Sequence, residues 1–138
     1  MTDQGSLDIL GVDTDNVGQP ANDGSSGSAL YRVPIKLNRA PSAREAEMLV
    51  YYWDHPSEFT MMHRPGIAYV SGRSLVLDGT TVDEVKQYHA KTVRLAVEAT
   101  NAHEAQLKSA DEVQAAAKQG QAASHQQHVA DVAKDIEF

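Results

Sequence analysis

Hydrophobic and polar positions alternate with strand or helix periods through the middle of the chain and lose that order towards both ends. From Leu30 to Leu37, Val33, Ile35 and Leu37 fall on one side and Arg32, Pro34 and Lys36 on the other, the period of a half-buried strand. Pro34 lacks an N–H, so this strand is expected at a sheet edge, or with that position turned to an unpaired side. Ser42 and Glu45 then form a capping box, and Ala43, Ala46, Leu49, Val50 and Trp53 follow at helical spacing. Pro56 pushes the preceding residue out of the helical region, which ends the helix near Asp54 and His55.

Glu58 to His63 alternates again, with Phe59 and Met61 opposite Thr60 and Met62, and predicts a separate short strand before the Pro65-Gly66 turn. Ile67 to Val70 and Leu75 to Leu77 read as a hairpin joined by Ser71-Gly72-Arg73. Thr81 and Glu84 give a second capping box. From Val82 to about Lys108 the spacing predicts a helix whose stripe carries Val85, Tyr88, Thr92, Leu95 and Ala99, widened by Val93, Ala96 and Val97. The order strand, helix, strand or hairpin, helix predicts an α+β two-layer sandwich: a small, mainly antiparallel sheet with both helices on one face, of ferredoxin-like or split βαβ type.

Both helices should cover the face of Val33, Ile35, Leu37, Phe59, Met61, Ile67, Leu75 and Leu77. The other face is left with Met62, Ala68, Val70 and Val76, rimmed by Arg32 and Lys36. An uncovered apolar patch of this kind marks an interface, so these six residues are the expected binding set.

Composition separates the ends from the middle. Residues 1–28 hold five acids and no Lys or Arg, residues 109–138 five acids and two lysines, and the 29–108 stretch is close to neutral, within a net charge of −7. Residues 1–28, rich in Asp, Gly, Ser and Asn, predict a disordered acidic tail, with Leu7, Ile9, Leu10 and Val12 as a short docking motif at most. Residues 29–110 are the expected core domain. Residues 111–138 are expected as a flexible Ala/Gln-rich tail, partly helical or disordered, in which Val129, Val132 and Ile136 make a narrow apolar stripe. A near-neutral core without exposed aromatics on its central strands gives no basis for nucleic-acid binding. No apolar run approaches the roughly 20 residues that cross a bilayer, so a cytoplasmic protein without membrane attachment is expected.

Candidate chemistry is sparse. Without cysteine, thiolate metal sites, disulfides and thiol nucleophiles are excluded. Asp13, Asp15 and Gly18 start like a calcium loop, but Val17 stands at a ligand position and Gly24 where the bidentate Glu belongs. His125 and His128, three apart, are too few for zinc, and no phosphate-loop, dinucleotide or nucleophile-elbow motif occurs. No metal or cofactor is expected. The catalytic candidates are His55 and His63 with Arg64, beside Asp54, and His89 on the second helix, able to serve as acid and base or to hold an anion if the fold brings them together. The expected function is a non-catalytic binding or assembly module acting through the open sheet face or the tails, with a protein partner or a second copy. The alternative is a small enzyme or anion-binding protein using His55, His63 and Arg64.

Overall fold

The computed structural model describes residues 5 to 137, so residues 1–4 and 138 of the expected tails lie outside the described residues. Two compact units divide the chain, one reaching to Ala102 and the other starting at His103. The first holds a four-stranded antiparallel sheet in the order β1-β2-β4-β3, built from β1 (Ile9–Val12), β2 (Tyr31–Leu37), β3 (Ala68–Ser71) and β4 (Ser74–Thr80). Helix α1 (Ala43–Asp54) links β2 to β3, which run in the same direction with β4 between them. After β4 come α2 (Val82–Glu84), a π-helical turn (Val85–His89) and α3 (Ala90–Lys134). The fold is therefore α+β, as the order of periods predicts.

Helical residues Leu49, Trp53, Val85, Val93 and Val97 pack with Val33, Ile35, Leu37, Leu75 and Leu77 in one core. Ser42 closes the predicted capping box: its hydroxyl accepts from the Glu45 N–H, and the Glu45 carboxylate accepts from the Ser42 N–H.

The hairpin turn corrects the face assignment. Ser71 pairs with Ser74, so the loop is the two residues Gly72-Arg73, with Gly72 at φ +58° as a primed turn needs at its first central position. A three-residue loop would pair Val70 with Ser74; the actual register pairs Val70 with Leu75 and Ala68 with Leu77. That one-residue slip moves every β3 side chain to the opposite face. Ala68 and Val70 consequently belong to the core face, while Tyr69, expected in the core, lies beside Val76 and Pro34 on the opposite one.

Further expectations change. Residues 5–28 are not a featureless tail: β1 pairs with β2 across a bulge at Gly11, whose φ of +131° a glycine tolerates. Side-chain amides fasten this segment. Asn101 both accepts from the Leu7 N–H (2.9 Å) and donates to the Leu7 carbonyl (3.0 Å), Asn38 Oδ1 accepts from the Asp8 N–H, and Leu7 is 1% exposed. With β1 added, β2 is not an edge strand. Pro34 is accommodated because its carbonyl accepts from Asp13, just past the end of β1, and its missing donor faces that same side, where the strand has stopped.

Glu58–His63 forms no strand; a turn bond from the His63 N–H to the Thr60 carbonyl folds it, between two prolines that cannot donate to a ladder. Phe59 and Met61 are exposed rather than packed, and Met62, in the same turn, is not on the sheet. Finally, the helix does not stop near Lys108 but continues to Lys134, so the segment expected as a partly helical tail is helix throughout that range. No helix among the described residues is long and apolar enough to cross a membrane.

Candidate functional site

The most chemically loaded place in the first unit surrounds Trp53, the chain's single tryptophan. Its ring is completely buried, and its indole N–H donates to the Arg64 carbonyl at 2.9 Å, which ties the 55–67 segment to the end of α1. The Arg64 guanidinium turns to Glu84, with Nε on Oε1 and Nη2 on Oε2, both at 2.9 Å, a bidentate fork. Glu84 Oε1 also accepts from the Thr80 hydroxyl at 2.9 Å and stands 3.5 Å from His89 Nε2, long for a hydrogen bond.

This explains why the second capping box is only half made. Thr81 accepts from the Glu84 N–H, but the Glu84 carboxylate serves Arg64, twenty residues earlier in sequence, instead of reaching back to the cap. Glu45 does both jobs, closing its own cap while held by Arg39 at 2.7 Å on each oxygen. The Arg64 hydrogen bonds, with Thr80 and the guanidinium charge, bring the Glu84 carboxyl down to about 2, and Arg39 likewise lowers that of Glu45.

The two histidines of the cluster flank the indole. His63 lies 5.1 Å from Trp53 and 5.2 Å from Phe59 between ring centroids, and His89 meets Trp53 edge-on at 5.2 Å. Both ring nitrogens of both residues are shut off from solvent without a hydrogen-bond partner, as are the hydroxyls of Thr60 and Thr92. Burial lowers the affinity of each ring for a proton, opposed at His63 by the Asp54 charge and at His89 by Glu84.

Of the sequence-predicted candidates, the fold brings His63, Arg64 and His89 together and leaves His55 out. His55 is exposed, stacked on Tyr51 at 4.4 Å, with its Nδ1 3.0 Å from the Tyr51 carbonyl. Glu84, read only as a cap residue, is the member that sequence reasoning missed. Its signal was there in the capping motif; its partner was not, because nothing local points to Arg64. Arg64 is no free anion receptor, since its guanidinium is occupied by Glu84.

Among the expected binding residues, Val76, Arg32 and Lys36 do share the face opposite the core, with Arg32 opposite Asp78 and Lys36 opposite Ser74, but Pro34 and Val76 at its centre are buried, so the expected uncovered apolar patch is not there. Tyr69 supplies the exposed apolar surface on that side. His125 and His128 are exposed on α3, and no group of three metal-ligating side chains occurs among the described residues. Comparison with protein-family models, with curated proteins and with solved structures finds no match for this chain.

Proposed function

We propose that this protein is a non-catalytic assembly module in which copies of the chain associate through the carboxy-terminal helix. The observation that supports this reading is that every described residue from Lys108 onward is exposed although the segment is helical to Lys134, with Val113, Val129, Val132 and Ile136 at 46–67% exposure. A long helical segment with no buried residue has no packing energy of its own, and apolar side chains repeated along it are stabilised by burial against another surface. Val129 and Val132 fall on one stripe of the helix, suited to helix-against-helix contact, and Ile136 follows just past the helix end. Tyr69, partly exposed on the edge strand β3, offers a smaller second surface. Within the sheet, β2–α1–β3 around β4 is the part that corresponds to a split βαβ unit.

The enzyme or anion-binding alternative has less support. His55 lies apart from the cluster, His63 and His89 keep their nitrogens inside, and the Arg64 charge is matched by Glu84. Sedimentation equilibrium of the full chain and of a Val132→Asp/Ile136→Asp variant tests the assembly reading. Concentration-dependent association of the wild type that the double variant loses is the expected result. A monomer at every concentration, or equal association of both proteins, overturns it.

A further inference from the structure

The unpartnered histidines beside Trp53 have a consequence independent of assembly. His89 is fully enclosed, held by the π-helical turn that precedes α3, and its surroundings offer an imidazolium little. Among the described residues, Glu84 from α2 is the only anion facing it, and its carboxylate already carries both arms of Arg64 and the Thr80 hydroxyl. Arg64 and His63 come from the 55–67 segment, one a cation and the other a potential one, and Trp53 comes from α1. His63 faces Trp53, Phe59 and His89, with Asp54 at the end of α1 as its source of negative charge. The same segment meets α3 through an exposed pair, Glu58 and Lys91, at 3.2 Å.

We propose that the contact of the 55–67 segment with the Trp53 ring and the start of α3 is an acid-sensitive latch, closed while His63 and His89 are neutral and released when they take up protons. Two mechanisms act together. A buried imidazolium needs acceptors for both of its N–H groups, and at His89 it can gain one only by competing with Arg64 for Glu84. The new positive charge is also placed beside Arg64, which weakens the ion pair that ties the segment to α2.

The sign is fixed by linkage. Both rings have their folded-state proton affinity lowered by burial, so in acid the unfolded or opened chain binds protons that the closed form refuses. The latch is therefore fully stable above the ordinary histidine value of 6.5 and loses stability as pH falls below it, by up to about tenfold in the closing equilibrium per pH unit for each ring. The Glu84 carboxyl, held down at about 2 by Arg64, contributes lower in the scale.

The test is an NMR titration of the full chain from pH 8 to pH 5, following the imidazole signals and the exchange rate of the Trp53 indole N–H. The expected result is that the His63 and His89 rings stay neutral below 6.5 and that indole exchange, relative to a free indole at each pH, accelerates at least tenfold by pH 5. The His89→Leu variant, which keeps the bulk and removes the proton site, should flatten that acceleration; if it fails to fold, His63→Gln is read the same way. Rings titrating at 6.5 with the indole still protected at pH 5, or a variant with the wild-type pH dependence, would overturn the proposal.

Discussion

Helix α3 contains two regions that obey different physics. Between Ala90 and Thr100 it buries Thr92, Val93, Ala96, Val97 and Thr100; from Lys108 onward it buries none of its described residues. The first region is amphipathic and is helical because a stripe of small and β-branched residues fits the sheet. Thr92, Val93 and Val97 are poor helix formers, so packing is what stabilises the helix there. In the second region the Ala, Gln and Lys of QAAAKQGQAAS favour helix with no tertiary help. One continuous element is thus stabilised by burial at one end and by propensity at the other. Only the first end packs into the fold, and the second is left exposed.

The comparison can be broken first at Trp53. Replacing it with Ala should destabilise the first unit by about 3–5 kcal/mol in urea unfolding, because a fully buried ring is removed from between α1 and the start of the last helix. A loss under about 1 kcal/mol would mean that the packed region owes little to this ring. Next in size is Glu84→Gln. It leaves the Arg64 fork and the buried Thr80 hydroxyl with a weaker partner, and should cost about 2 kcal/mol, moderated by the partial exposure of Arg64. The wild-type advantage should be present above the ordinary carboxyl value of 4.5 and disappear as pH falls towards 2, since the folded state holds this carboxyl ionised. An advantage that persisted unchanged at pH 2 would contradict the Arg64–Glu84 assignment.

Gly120 sharpens the other end. A Cβ built there meets nothing within 4 Å, so Gly120→Ala should stabilise the exposed helix by up to about 1 kcal/mol, read as a gain in far-ultraviolet helical signal, while the urea midpoint of the packed unit stays fixed. A shift of that midpoint would show the two regions to be energetically coupled. His55→Ala has the smallest expected effect, within about 0.5 kcal/mol, because the ring lies outside the Trp53 cluster on the surface.

What was legible in the sequence follows the same division. Local grammar predicted α1 with its closed cap, the β2 alternation, the β4 strand and the start of the last helix, since each depends on residues within a few positions. The face of β3 was misassigned because a two-residue and a three-residue hairpin loop differ only in whether Ser71 pairs, and that single choice inverts Ala68, Tyr69 and Val70. β1 was missed because its attachment depends on amides far along the chain: Asn38 and Asn101 read as ordinary polar residues, and no local pattern shows them bonding the backbone of Leu7 and Asp8. The candidate site divides likewise. His63, Arg64 and His89 could be named from their chemistry, whereas the exclusion of His55 and the recruitment of Glu84 depend on contacts up to twenty residues apart.

The central claim is that the last helix is held by the core only as far as about Thr100 and beyond that by propensity and, under the proposed assembly, by association. Amide hydrogen exchange along α3, measured at low and at high protein concentration, tests it most directly. The account predicts strong protection from Thr92 to Thr100 at both concentrations, with weak protection beyond Lys108 in dilute solution that rises several-fold when the protein is concentrated. Protection of the exposed region that equals that of the packed region, or that does not change with concentration, would contradict it.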